Sequence, residues 1–151
     1  MANEAILNLG TELILETAAA SAQLDDETYR ECDSDDRQPG DNTGYPLGLF
    51  EFSLAAGGFS GAPTAGNKLV LYEQKINSDG NDAPDVDAAY EHDFLHSWEF
   101  DAADAQQHLS ALCPIHRYGG KYWLYWEDGG AGTVDIVLGW ELRLIPATYG
   151  T

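Results

Sequence analysis

Histidine and cysteine pairs are the residues in this 151-residue sequence whose spacing could support metal chemistry. In HDFLH, His92 and His96 stand four positions apart, which on a helix would place both imidazoles on one side of a metal ion. The segment lacks the Glu that follows the first His in the zinc-hydrolase motif. In CPIH, Cys113 and His116 offer two ligands, whereas structural zinc takes four. We therefore predict no metal site and no cofactor.

Oxygen ligands for a hard cation are present in NSDGND (77–82), where Asn and Asp side chains surround Gly80. The segment does not reproduce the twelve-residue calcium loop, because no Glu closes it. The same residue types are expected in a turn between strands. The pattern favours a polar turn, with a bound ion as the alternative.

Catalytic signatures are missing from the sequence, which has no nucleophile elbow, phosphate loop or glycine-rich dinucleotide fingerprint. The 26 Asp and Glu residues do not indicate paired-carboxylate hydrolysis, because any fold with so many acids brings two of them together. We therefore expect that the chain is not an enzyme.

The charge balance excludes several partners. Seven Lys and Arg oppose 26 Asp and Glu, which gives a formal net charge of -19. Nucleic-acid binding is not expected, because phosphate contacts need cationic side chains. No run of eighteen apolar residues occurs, so no contact with a membrane is expected either. The charge is compatible with a salt-rich habitat or with docking onto a basic partner surface.

The elements that must position these residues are predicted to be strands. In TVDIVLGWELRLI (133–145) every even position from Val134 to Leu144 is apolar, which is typical of a half-buried strand. Further strand-like runs are PLGLFEFSLA (46–55), NKLVLYEQKI (67–76) and EHDFLHSWEF (91–100). AQQHLSALCPI (105–115) fits a strand or a short helix, and AILNLGTELILET (5–17) fits a strand pair broken at Gly10 or an extended arm. Such strands without intervening helices predict an all-β, jelly-roll-like antiparallel β-sandwich.

The strand KYWLYWE (121–127) carries large rings on both of its faces. Tyr122, Leu124 and Trp126 share one face, while Trp123 and Tyr125 share the other. One face can enter the core of the domain, so something else must cover the second. The alternatives are a further layer of the same chain, a bound sugar, or another protein.

Four rings, Trp98, Trp123, Tyr125 and Trp140, could together form a flat platform on which sugar rings stack. At least half of them are expected to be ordinary core residues, because aromatic side chains bury large areas and favour strands. Trp and Tyr are also enriched at the centres of protein interfaces. The sequence alone does not separate these interpretations.

Three segments in order resemble a set of small tailed-phage virion proteins. They are NKLVLYEQKINSDGNDAP (67–84), FLHSWEFDAADAQQHLSALCPI (94–115) and YGGKYWLYWEDGGAGTVDIVLGWELRL (118–144). In those proteins a first strand leads into an SDG-type loop, a later strand ends in a proline turn, and an aromatic strand precedes the terminal hairpin. Two departures are Cys113, which stands where a Leu-Pro or Pro-Pro step is usual, and the acidic stretch before residue 46, which has no counterpart.

The resemblance implies a capsid decoration or cement protein on the exterior of the virion, bound to the major capsid protein and to itself as a homodimer or homotrimer. It implies that residues 1–20 are a docking arm, which could add a strand to an exposed edge, and that residues 21–151 are the sandwich with acidic loops. The candidate partner-binding residues are Ile6, Leu7, Leu9, Leu13, Ile14 and Leu15 in the arm, and Trp123 and Tyr125 in the sandwich. A carbohydrate-binding module and a tail or neck protein are the alternatives.

Overall fold

The computed structural model describes residues 6–19, 21–33, 35–38, 44–88, 93–101, 105–130 and 132–150. Their regular structure is entirely β, so the all-β prediction is confirmed. The strands are β1 (Ile6–Leu9), β2 (Leu13–Glu16), β3 (Thr28–Glu31), β4 (Leu47–Leu54), β5 (Lys68–Ile76), β6 (Phe94–Trp98), β7 (Gln107–Pro114), β8 (Gly119–Glu127) and β9 (Trp140–Gly150). The segment that fitted a strand or a short helix is therefore a strand, β7.

The nine strands form two antiparallel sheets that pack against each other. Sheet 1 has the strand order β1-β9-β4-β7, and β2 pairs with β9 beyond the end of β1. Sheet 2 has the order β3-β8-β5-β6. The predicted antiparallel β-sandwich is thus confirmed.

The core lies between the two sheets and follows the period-two pattern of the sequence. The inner residues of β4, β5, β8 and β9 are almost completely removed from solvent. This burial is the main favourable contribution to folding, roughly 25 cal/mol per Å² of apolar surface. The inner residues of these four strands in the core cluster include Phe50, Phe52, Leu69, Leu71, Tyr122, Leu124, Trp126, Trp140, Leu142 and Leu144.

The strand predicted over residues 133–145 begins later than its alternation indicates. Gly139 has a φ of +75°, a conformation that β-strands do not use, and β9 starts at the next residue. Upstream, Ile136 makes isolated bridges to Leu24 and Phe59. Before Gly139 the alternation therefore brings Val134 and Ile136 to the core without forming a strand. Leu138, which the same pattern placed with them, is 60% exposed.

Residues 6–16, the described part of the predicted arm, lie within sheet 1. β1 and β2 both pair with β9, and the chain breaks between them at Gly10, whose N–H donates to the Pro146 carbonyl oxygen at 2.7 Å. Leu15 is 0% exposed and belongs to the main core cluster. The segment is therefore an edge of the sandwich here, and its contact with another protein stays a prediction.

Candidate functional site

Trp123 and Tyr125 lie on the outer face of sheet 2, as their position in β8 predicts. The Tyr125 ring centroid lies 4.5 Å from that of Tyr29 on β3. Tyr29 in turn lies 5.9 Å from Tyr72 on β5, again between ring centroids. We call Tyr29, Tyr72, Trp123 and Tyr125 the aromatic cluster. Its members come from three adjacent strands, so the sheet itself assembles it.

Part of the aromatic cluster is covered by the chain's own connector, residues 77–88. Val86 in this connector is 3% exposed and packs with Val70 and Tyr72. Trp123, Tyr125 and Tyr29 lie against the same group and are only partly buried. A further layer of the same chain therefore covers some of the second face, which was one of the three alternatives.

Gln74 fastens this connector to the aromatic cluster. Its Oε1 accepts a hydrogen bond from Trp123 Nε1 at 2.8 Å. Its Nε2 donates to the Ala83 carbonyl oxygen at 2.7 Å and to Asp85 Oδ1 at 3.1 Å. A glutamine amide can do both because it carries an acceptor and two donors. The polar edge of the Trp123 ring is thus satisfied within the chain.

The hydroxyl of Tyr125 is also satisfied internally, since it donates to Glu127 Oε2 at 3.0 Å. Burial, followed by this hydrogen bond and the negative charge of Glu127, raises the pKa of Tyr125 above its usual range. The hydroxyl therefore stays protonated at ordinary pH and acts as a hydrogen-bond donor.

Trp98 and Trp140 are core residues, so the structure does not assemble the four-ring platform considered for sugar binding. Trp140 is 0% exposed, and its Nε1 donates to the Ala22 carbonyl oxygen at 2.7 Å. Trp98 is buried between the sheets, and its Nε1 donates to the Ser110 carbonyl oxygen at 3.2 Å. Two of the four rings are consequently unable to meet a ligand without unfolding.

The six apolar residues predicted in the N-terminal segment have three different environments. Leu15 is in the core, and Leu13 packs against the core while partly exposed. Ile6, Leu9 and Ile14 are exposed, and Leu7 is partly buried. Strand registers place Leu7, Leu9 and Ile14 on the outer face of sheet 1, opposite Tyr149, Ala147 and Arg143.

One end of that outer face consists of apolar side chains from four strands. In one row Leu9, Ala147, Leu47 and Pro114 stand side by side, and in the next Ile145, Leu49 and Leu112 do so. Leu9 is 53%, Leu112 40% and Tyr149 61% exposed. We call this surface the apolar half. Its residues are Leu7, Leu9, Leu47, Leu49, Leu112, Pro114, Ile145, Ala147 and Tyr149.

The other end of the same face is polar. Arg143, Glu51 and Ser110 form one row, and Glu141, Ser53 and His108 form the next. These side chains line an open depression of about 520 Å³. Arg143 is hydrogen-bonded to Glu141 and to Glu12 Oε1, the latter at 2.6 Å. We call this surface the polar half.

Sequence reasoning named only Leu7 and Leu9 of the apolar half. Further members could have been found by the pattern noted in β8, where apolar residues occupy both odd and even positions of one strand. In PLGLFEF, Leu47 and Leu49 alternate with the core residues Phe50 and Phe52. Leu47 and Leu49 therefore needed a cover of their own, just as Trp123 and Tyr125 did.

The residues considered as metal ligands are not gathered into a site. No group of three or more His, Cys, Asp or Glu residues suited to a metal occurs in the part of the chain that the structure describes. His92 lies outside that part, and His96 packs against Trp98 with ring centroids 5.1 Å apart. Cys113 is buried.

NSDGND forms a turn, as favoured by its composition. Gly80 has a φ of +83°, and its N–H donates to the Asn77 carbonyl oxygen at 2.9 Å. The Asp79 carboxylate accepts hydrogen bonds from the backbone and side chain of Asn81, which lower the pKa of Asp79. Asp82 lies 2.9 Å from Lys121 Nζ. These oxygens thus have partners within the protein.

A buried polar network that the sequence did not reveal joins a connector to sheet 2. Arg37, which is 0% exposed, reaches in from the segment between β3 and β4. Its Nε donates to the Tyr122 hydroxyl at 3.2 Å, and its Nη2 donates to the His116 carbonyl oxygen. Its Nη2 also lies 3.6 Å from Glu73 Oε2. Arg37 stands among acidic and turn-forming residues that carry no sign of burial, which is why sequence reasoning missed it.

Glu73 is the acceptor at the centre of this network. It receives hydrogen bonds from the Tyr122 hydroxyl at 2.8 Å and from the His116 N–H at 2.7 Å. Burial raises the pKa of the Glu73 carboxyl, while these hydrogen bonds and Arg37 oppose the rise. Burial and Glu73 in turn raise the pKa of Tyr122. Each group holds another in place, so the arrangement is suited to fixing the connector between the sheets.

Comparisons with known proteins identify no relative: no protein-family profile, curated protein or solved structure matches the chain. The resemblance to phage virion proteins therefore stays a prediction. Among the described residues, no helix is long and apolar enough to cross a membrane.

Proposed function

We propose that this chain is a structural virion protein that binds the exterior of a phage capsid and stabilises neighbouring major capsid protein subunits. It performs this role without catalysis. The observation that carries the proposal is the apolar half, which is drawn from four strands and exposes Leu9, Leu112 and Tyr149 on three of them. A contiguous exposed apolar patch of this kind is typical of a surface that meets another protein.

The shape of this surface supports a protein partner over a small ligand. Small-molecule sites are usually concave and bury most of the ligand. The apolar half instead lies on the outside of a sheet, where Leu112 beside Leu49 and Leu9 beside Ala147 are exposed. A rigid sheet can present such a surface with little ordering cost on binding.

A cementing role also fits the absence of catalytic motifs from the sequence. Many copies that each bridge two capsid subunits would raise the cost of separating those subunits, even if each contact were weak. The N-terminal residues Leu7, Leu9 and Ile14 would take part in that contact, because they lie on the same face. Trp123 and Tyr125 are held within the chain and would contribute less.

Of the two alternatives, sugar binding has less support. Sugar binding would need accessible ring faces, and the aromatic cluster is partly covered by residues 77–88, while Trp98 and Trp140 are buried. A tail or neck protein would share every feature described so far. Its position on the particle would distinguish it from a capsid protein.

Cryo-electron microscopy of the virus particle that carries this chain tests the proposal. We expect density for the sandwich at regular positions over the capsid lattice, with sheet 1 facing the shell. Density confined to the tail or neck would replace capsid decoration with the tail alternative. Absence of the chain from every part of the particle would overturn a virion role altogether.

A further inference from the structure

We propose that the apolar half docks a protein surface whose own apolar centre is rimmed by Lys and Arg, and that this surface belongs to a different protein rather than to a second copy of this chain. The inference rests on the proposed function, because the capsid shell is the partner used to test it. It adds the chemistry of that partner and the residues that meet it.

Most Lys and Arg side chains of this protein are paired with its own carboxylates. The chain has seven Lys and Arg residues, and six of them lie within ion-pair distance of a carboxylate of the same chain. The seventh, Arg117, lies over the ring of Tyr118, 5.5 Å from its centroid. The six pairs are Arg30–Asp33, Arg37–Glu73, Lys68–Glu127, Lys75–Asp93, Lys121–Asp82 and Arg143–Glu12. A partner therefore meets a surface dominated by carboxylates.

The charged residues on the outer face of sheet 1 lie outside the apolar half. None of the nine residues of the apolar half is charged. The adjoining rows carry Glu51 and Glu141, and Glu12 lies beside them, while Arg143 is bonded to two of these acids. On the side of the polar half, three carboxylates of the described residues thus border the apolar half against one guanidinium that is already paired. At the opposite end, Arg117 lines a depression with Pro46 and Thr148. The complementary surface has an apolar centre and a basic rim.

A second copy of this chain and a protein with a basic surface would interact differently with the apolar half. Two copies of this chain each carry a formal charge of -19, so their long-range interaction is repulsive. A protein with a basic docking surface is attracted instead, and the attraction accelerates association. The two occupants therefore respond to salt in opposite ways. Screening weakens binding to a basic partner and strengthens self-association.

The experiment compares two double variants of the full chain. Leu112→Lys with Tyr149→Lys places two ammonium groups in the apolar half. Leu138→Lys with Phe94→Lys is the matched control, because Leu138 (60% exposed) and Phe94 (56% exposed) lie outside that surface. Both variants change the net charge equally and alter exposed residues. Binding to empty shells of the major capsid protein is measured by co-sedimentation at about 0.1 M and about 1 M salt, between which the screening length falls from ~10 Å to ~3 Å.

We expect the apolar-half variant to lose at least about tenfold in affinity for shells, as is usual for residues at an interface centre. The control should bind like the wild type, and the wild-type affinity for shells should fall roughly tenfold or more at the higher salt concentration. Equal affinity of both variants would overturn the docking surface while leaving the capsid role standing. Binding that strengthens with salt would overturn the basic rim.

Sedimentation velocity of the purified chain at the same two salt concentrations tests the competing occupant. A wild-type dimer that forms at high salt, and that the apolar-half variant abolishes while the control keeps it, would assign this surface to a second copy and overturn the inference. A monomer at both concentrations, together with shell binding, supports it. If the wild-type chain fails to bind shells at all, the proposed function fails, and the inference fails with it.

Discussion

The outer faces of the two sheets both carry apolar residues, but the chain covers these residues on one sheet and leaves several exposed on the other. Each carries large apolar residues on strands whose opposite faces already fill the core. On sheet 2 the connector 77–88 folds back, so that Val86 covers Val70 and Tyr72. On sheet 1, Leu9, Leu112 and Tyr149 of the apolar half remain exposed. A face that the chain covers itself serves stability, whereas a face left open at a cost in solubility is a candidate for function.

The difference extends to the polar groups beside each face. On sheet 2, Gln74 satisfies Trp123 and two groups of the connector. On the inner side of the same sheet, Glu73 satisfies Tyr122, His116 and Arg37. Sheet 2 is therefore fastened to connectors on both of its faces. On the outer face of sheet 1 the comparable contact is that of Glu12, between β1 and β2, with Arg143 in the polar half, so it lies outside the apolar half.

Removal of the Glu73 side chain should reduce the free energy of unfolding more than any other change considered, and it tests whether sheet 2 is held more tightly than sheet 1. Glu73→Ala leaves the buried Arg37 charge uncompensated and deprives Tyr122 of its acceptor. We expect a loss of about 3–5 kcal/mol in the free energy of unfolding, measured by urea denaturation. Glu51→Ala, at an exposed position in β4 on the outer face of sheet 1, is the control and should change it by less than about 0.5 kcal/mol. Similar losses for both would show that sheet 2 is not the more tightly fastened one.

Strand periodicity explains what the sequence could predict. Trp140, Leu142 and Leu144 are buried, as their spacing required, because side chains alternate between faces along a strand. The same rule placed Trp123 and Tyr125 away from the core. It could not state that Val86 would cover Val70 and Tyr72 beside them, because this valine stands alone in an acidic connector and carries no periodic signal.

The apolar half as a whole surface could not be predicted, because it depends on strand register. Leu9, Leu49 and Leu112 are separated by many residues, and only the pairing of β1, β4 and β7 with their neighbours brings them to one surface. The buried role of Arg37 likewise depends on the path of a connector. Periodicity identifies the face of a residue, whereas register and connector paths decide which residues it meets.

A smaller loss of stability is expected from a substitution of Val86, the connector residue that covers part of sheet 2. Val86→Thr keeps the shape of the side chain but places a hydroxyl in a buried apolar site. We expect a loss of about 1–2 kcal/mol in the free energy of unfolding, with increased solvent exposure of Trp123 seen in its fluorescence. Leu112→Thr in the apolar half is the control, and it should cost less than about 0.5 kcal/mol because its site is exposed and threonine suits a strand. An equal or greater loss at Leu112 would mean that the apolar half contributes to folding as much as the covered face does.

The smallest expected effect is a pH dependence of the free energy of unfolding that arises from His116, next to the network that joins sheet 2 to its connector. Burial, with Lys75 and Arg37 nearby, lowers the pKa of His116 below its usual value of 6.5, and Asp93 opposes this. The unfolded chain therefore takes up a proton more readily, so this histidine's stabilising contribution is present above about pH 6.5 and is lost as the pH falls through the folded-state pKa. Its size should stay under about 1 kcal/mol because the side chain is partly exposed. Urea denaturation of the wild type and of His116→Asn between about pH 7.5 and pH 5 measures the difference. We expect the wild type to lose more stability than the variant on acidification, and parallel curves would show that this end of sheet 2 does not sense pH through His116.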